Sequence, residues 1–195
     1  MRVVFKGILD AAGSFFNRLG IYPNTMTLLG LAGNIVAAVL LAFGQITIGG
    51  IVVLVMGLID ALDGTMARLR GMSSEFGAFV DSVTDRYSEL VIFAGLLYYF
   101  LQKGSWIHPL GIFIAAGGSV LVSYVRARAA SLGMDSKVGI LSRLERYLVL
   151  APALIFNIPA VGIWIIAILA NFTALQRIID VRRQAHEQNK MPRKD

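Results

Sequence analysis

Four aspartates in two short windows carry the first chemical signal: Asp60 and Asp63, then Asp81 and Asp85. Each pair lies within or beside a long apolar run, where a charged side chain costs about 2.5–3.5 kcal/mol on an insertion scale. A neighbouring arginine, such as Arg68 or Arg86, explains one such aspartate. It does not explain four, because adjacent like charges raise one another's cost and require a strong shared counter-ion. Spacings of i,i+3 and i,i+4 put each pair on one helix face. The connection between the two runs is short, so they are antiparallel neighbours whose acidic faces can meet. The chain has no cysteine and two histidines, His108 and His186, far apart in sequence. The available ligands are therefore oxygens, which suit Mg²⁺, Mn²⁺ or Ca²⁺. Two cations can share such a site, as in two-metal phosphoryl chemistry. Gly64, Ala67, Gly77 and Ala78 surround the aspartates. Small residues admit a close ligand or close helix packing, and these residues alone favour neither. Arg68 lies at the mouth of the cluster and suits a phosphate.

These residues must be positioned by membrane helices. Of 195 residues, 56% are apolar and only 15% are charged, and the mean hydropathy is +0.70. A soluble domain has about 25% charged residues, and disorder requires low hydrophobicity, so both classes are excluded. A single span needs about 20 apolar residues. The chain reads as an all-α integral membrane protein with six transmembrane helices, at residues 27–43, 48–66, 79–101, 109–125, 147–156 (extended back toward Leu141) and 160–179. Gly44-Gln45, Gly104-Ser105 and Asn157-Ile158-Pro159 are the short turns. Residues 69–74 and 131–142 are the polar loops of the opposite side. Residues 1–22 read as an amphipathic juxtamembrane helix at the surface, residues 23–182 as the membrane domain, and residues 183–195 as a charged cytoplasmic tail. Of the 18 Lys and Arg residues, Lys103 alone falls on one side of this layout. That asymmetry places both termini and the aspartates on the cytoplasmic side. The net charge of +6 follows from it and gives no reason to expect nucleic acid. His108, beside Pro109, reads as a far-side loop residue, and Tyr98, Tyr99 and Trp106 as an interfacial belt.

The run Asp60-Ala-Leu-Asp63-Gly64-Thr-Met-Ala67-Arg68, then Gly77, Asp81 and Asp85, has the spacing D-x2-D-G-x2-A-R-x8-G-x3-D-x3-D. It resembles the complete signature of the CDP-alcohol phosphotransferase family, with no departure at its fixed positions. The resemblance implies a membrane enzyme of the cell membrane, usually a homodimer. Such an enzyme moves a substituted phosphate from a CDP-alcohol to a second alcohol and releases CMP. It implies that Asp60, Asp63 and Asp81 ligate two Mg²⁺ or Mn²⁺ ions, that Asp85 lies close enough to contribute, and that Asp85 is the general base. It further implies that Gly64, Ala67 and Arg68 contact the CDP moiety, and that Asn24, in the Pro23-Asn24 motif, lies near the diphosphate.

Glycerol phosphate synthases of this family usually carry Pro after the third Asp and Lys after the fourth; here Ser82 and Arg86 stand there. The run, with Ser123–Ala129 and the stretch from Lys137 to Arg146, is closer to phosphatidylinositol-phosphate synthases and their archaeal ether-lipid counterparts. The implied substrates are CDP-diacylglycerol or CDP-archaeol and inositol phosphate. Independently of family, Arg126, Arg128, Lys137, Arg143 and Arg146 fall on the aspartate side. They form an acceptor phosphate pocket or anchor the chain on anionic lipid. Arg126 and Arg128, two apart, point different ways, so only one serves such a pocket. Glycerol 3-phosphate or serine is the competing acceptor. A divalent-cation transporter is the more remote alternative, disfavoured because the outer half of the bundle has no acidic residue to continue a path. A non-catalytic scaffold would leave four buried aspartates unexplained.

Overall fold

The computed structural model describes residues 13–15, 17–18, 20, 22–69 and 74–188, apart from the side chains of Pro23 and Asp63. Six long helices follow in order: α1 (Pro23–Ala42), α2 (Ile46–Leu69), α3 (Glu75–Gln102), α4 (Ile107–Ser131), α5 (Arg143–Ile155) and α6 (Pro159–Glu187). Each corresponds to one of the six apolar segments. Four of them, α1, α2, α4 and α6, are long and apolar enough to cross a membrane. The other two differ for separate reasons. The N-terminal part of α3 carries Asp81, Asp85, Arg86 and Glu89. Helix α5 has 13 residues, about 20 Å at 1.5 Å per residue, against a hydrocarbon core of about 30 Å.

Proline sits in the first turn of α1 and of α6, where its missing N–H costs nothing. Ser74 caps α3: its Oγ accepts from the Gly77 N–H at 3.0 Å, relieving one of the unpaired donors of a helix start. One device ends four helices. The N–H groups of Gly44 and Gln45 return to the carbonyls of Leu41 and Leu40, and the same pair of bonds recurs at Gly104, Gly133 and Asn157. This is the left-handed C-terminal motif, and Asn157 at φ 57° is the one non-glycine that adopts it among the described residues.

The chain divides into two compact units, Met1–Tyr99 and Phe100–Asp195. In the first, α1 packs against α2 over Met26, Leu62 and Met66, with Ile59 beside them. Helix α1 also meets α3, where a Cβ on Gly95 would strike the Ala38 carbonyl; such close backbone approach is how membrane helices associate. The polarity is inverted relative to a soluble core. Thr27 and Asn34 of α1 are buried while Leu28, Leu29, Ile35 and Val36 are exposed, as lipid-facing residues should be. In the second unit α6 is the spine, against which α4 and α5 pack. Gly118 lies against Asn171, whose amide donates to the Ile114 carbonyl at 3.0 Å, and Gly162 lies against Ala153.

Three sequence expectations are refined. Most of the surface helix of residues 1–22 lies outside the described residues; those at 13–15 and 17–18 are helical. Asn17 donates to the Met66 carbonyl at 3.3 Å, so this segment meets the end of α2. The expected tail boundary after residue 182 falls inside α6, which runs to Glu187. An Arg183–Glu187 pair at 3.0 Å and a bond from Gln184 to Asp180 at 2.9 Å line its last turns. His108 is not a loop residue. It lies in the first turn of α4, bonded through Nδ1 to Ser105 Oγ at 2.6 Å and stacked on Phe100 at 4.5 Å.

Candidate active site

Within the first unit, α2 and α3 bring Asp60, Asp81 and Asp85 together. One carboxylate oxygen from each lies within 4.8 Å of the others. Asp60 and Asp81 are half-buried, and Asp85 is buried at 6% exposure. Three carboxylates at that separation, with no His or Cys among them, fit a hard divalent cation, whose oxygen ligands stand about 2.0–2.6 Å from the ion. Asp63 is in α2, one turn beyond Asp60; its side chain lies outside the described residues, so its place in the cluster remains the sequence expectation. Arg86 flanks the cluster. It approaches Asp85 Oδ2 at 3.5 Å and donates to the Ser82 carbonyl one turn earlier.

The small residues now separate into two kinds. A Cβ on Gly64 would meet nothing within 4 Å, so the space before it is open. At Gly77 a Cβ would stand 3.1 Å from Ser74 Oγ and 3.8 Å from Asn24 Oδ1. That contact brings Asn24, in the first turn of α1, to the start of α3. Ala67 is half-buried. Arg68, in the last turn of α2, is exposed and donates to Thr65 Oγ1 at 2.9 Å. The Thr65 bond steadies its stem and leaves other guanidinium donors for a phosphate.

The basic residues of the expected acceptor pocket all belong to the second unit. Arg146 is buried at 2% exposure and reaches the Leu141 carbonyl at 3.4 Å. Arg143 is half-buried, its guanidinium 5.8 Å from the centroid of Tyr147, within cation–π range. Lys137 is exposed and pairs with Asp135 at 2.6 Å. Arg126 and Arg128 are both exposed. Arg128 closes onto Ser131 at the end of α4, which leaves Arg126 as the better candidate of the two.

Two residues escaped the sequence reading. Glu89 is buried at 8% exposure, one turn beyond Asp85 on the same face of α3. The i,i+4 spacing from Asp85 was the available signal. Arg177 was counted only as a positive-side anchor, yet it is buried at 4% exposure. It donates to the Val122 carbonyl at 2.6 Å and to the Val138 carbonyl at 3.0 Å, tying α6 to α4 and to the loop before α5.

The description of CDP-alcohol phosphatidyltransferases matches residues 20–176. The chain belongs to that family. It is an enzyme of the CDP-alcohol phosphatidyltransferase type, a transferase of phospholipid biosynthesis with several membrane helices. Among its relatives is the phosphatidylinositol phosphate synthase of Streptomyces avermitilis, 35% identical over 95% of this chain and 82% of that protein. The archaetidylinositol phosphate synthase of Pyrococcus horikoshii is 32% identical over 94% of this chain and 96% of that one. In structure the chain resembles Mycobacterium tuberculosis phosphatidylinositol phosphate synthase with CDP-DAG bound, at a TM-score of 0.83 and 29% identity, covering 89% and 93% of the two chains. The same mycobacterial protein in complex with manganese and citrate gives a TM-score of 0.81 at 28% identity, covering 89% of this chain and 88% of that one. A divalent metal requirement for this family fits the aspartates of α2 and α3.

Proposed function

We propose that this CDP-alcohol phosphatidyltransferase transfers the phosphatidyl or archaetidyl group of a CDP-linked lipid to a hydroxyl of inositol phosphate, releasing CMP. The observation that carries the reading is the convergence of Asp60, Asp81 and Asp85 beside the open approach at Gly64. The synthase names of the relatives support the acceptor.

Asp60, Asp63 and Asp81 would hold two divalent cations, Mg²⁺ or Mn²⁺, with Asp85 close enough to contribute but not required to hold them. When bound, the cations neutralise the diphosphate and the charge on departing CMP. The residues of the chain do the rest. Gly64 and Ala67 leave room for the cytidine diphosphate, Arg68 pairs with its phosphate, and Asn24 hydrogen-bonds near the diphosphate. Asp85 accepts the proton of the attacking hydroxyl; an alcohol is a weak nucleophile until a positioned base does so. Arg126, Lys137, Arg143 and Arg146 bind the acceptor's phosphate, where forked guanidinium contacts are strong.

The enzyme is a homodimer of the cell membrane with six spans in the membrane domain of residues 23–182. The surface helix of residues 1–22, the end of α6 with the residues beyond it, and the active site are cytoplasmic. The charge asymmetry about Lys103 supports this orientation.

The test is the lipid product. Purified protein with CDP-dioleoylglycerol, Mg²⁺ and 1D-myo-inositol 3-phosphate should form a lipid whose mass is that of phosphatidylinositol phosphate. CDP-archaeol in its place identifies the donor. Absence of an inositol-phosphate lipid with both donors would refute the reading.

A further inference from the structure

Side chains on one stripe of α6 hold the segment that connects α4 to α5. Thr173 Oγ1 accepts from the Leu141 N–H at 3.0 Å. Arg177 Nε donates to the Val138 carbonyl at 3.0 Å. Gln184 brackets a single residue: its Oε1 accepts from the Asp135 N–H at 3.2 Å, and its Nε2 donates to the Asp135 carbonyl at 2.8 Å. Positions 173, 177, 180 and 184 repeat at four, three and four, which is one helix face. Asp180, on that stripe, accepts a second bond from Gln184 Nε2 at 2.9 Å, which sets the amide's orientation. Gly139, at φ +128°, passes so close to Thr173 that a Cβ would overlap its side chain.

The contacts continue to a charged group. The carboxylate of Asp135 meets the ammonium of Lys137 at 2.6 Å, and both side chains are well exposed, at 61% and 70%. An exposed pair of this kind does little to fix a flexible lysine. The backbone from which it extends is held separately, by Gln184 at Asp135. A neutral amide is suited to this, since it carries both a donor and an acceptor for the two polar groups of one residue.

We propose that Gln184 is a positioning residue for the acceptor's phosphate. It clamps the backbone N–H and C=O of Asp135, and so fixes the stretch of backbone, two residues on, from which Lys137 extends. The extension of α6 beyond Ile179 is the rack on which this part of the pocket is ordered before substrate arrives. Ordering a loop in advance removes that cost from binding. The proposal rests on the reading of Lys137 as a phosphate-binding group.

The experiment uses full-length protein in nanodiscs, with Gln184→Ala, Lys137→Ala and the double variant, CDP-dioleoylglycerol as donor and 1D-myo-inositol 3-phosphate as acceptor. For Gln184→Ala we expect a three- to tenfold higher KM for the acceptor, with kcat and the CDP-lipid KM within twofold. Amide exchange at residues 134–138 should be at least tenfold faster. The double variant should be no worse than Lys137→Ala alone, because the two residues act as one unit. If Lys137→Ala raises the acceptor KM and Gln184→Ala does not, the positioning role is wrong and the pocket reading stands. Additive effects in the double variant would likewise overturn it. If neither variant changes the acceptor KM, the pocket reading fails and takes this inference with it.

Discussion

The carboxylates of Asp60 in α2 and Asp81 in α3 approach within 4.8 Å of each other. Like charges at that distance repel. The divalent cation proposed for this site would offset that repulsion, and it separates the roles of neighbouring aspartates.

Asp81→Asn should therefore weaken Mn²⁺ binding at least tenfold, read by titration calorimetry, and abolish CMP release. Asp85→Asn should act differently: metal and CDP-lipid binding are retained, while turnover falls about 10²–10⁴-fold, the usual contribution of a positioned base. Chelation should stop the wild-type enzyme and Mg²⁺ should restore it. Equal loss of metal binding in both variants would contradict the assignment of Asp85 as base.

Gly64→Ala should separate stability from activity. A Cβ there meets nothing within 4 Å, and alanine is favoured over glycine inside a helix by about 1 kcal/mol. The variant should melt at the same temperature or a higher one. If the open space receives the cytidine diphosphate, the CDP-lipid KM should rise at least fivefold. An unchanged CDP-lipid KM would remove Gly64 from the donor site.

Lys137→Ala should raise the acceptor KM much more than the CDP-lipid KM, with little change in thermal stability, because the side chain is exposed. Arg146→Ala should do the same and also lower stability. Arg146 is buried at 2% exposure, and its bond to the Leu141 carbonyl is of the charged class, which contributes about 1.5–3 kcal/mol. An unchanged acceptor KM in both would leave these residues as anchors on anionic lipid.

Five of the six helices were legible because each contains a long apolar run, α5 having only a short one, and three of the four matching C-terminal turns were legible as glycine or asparagine between such runs. The aspartate cluster was legible because spacing alone aligns its members on helix faces. Gly133 and the ends of α5 and α6 were harder. Arg143, Glu145 and Arg146 shortened the apolar run of α5 to residues 147–156, so its start at Arg143 showed only as an extension back toward Leu141. Arg182 and Arg183 made the end of α6 look like tail, although Gln184, Asp180 and Glu187 carry the helix onward. Arg177 was hidden by its own charge, since hydropathy counts an arginine near a span end as an anchor. Its burial depends on carbonyls of Val122 and Val138, partners distant in sequence that no local pattern reveals.

The chain has no cysteine, so its orientation can be read with single introduced thiols. Lys103→Cys should react with an impermeant maleimide on intact cells. Ser131→Cys should react only after the membrane is opened. The reverse pattern would invert the membrane orientation and place the aspartates outside.

The central claim is tested most directly by CMP release from the purified protein in detergent. CDP-diacylglycerol and Mg²⁺ are supplied, and inositol phosphate, glycerol 3-phosphate, serine and free inositol are offered separately. Release with inositol phosphate alone is the predicted result. Release with one of the others instead would keep the aspartate chemistry and contradict the acceptor assigned to Lys137, Arg143 and Arg146.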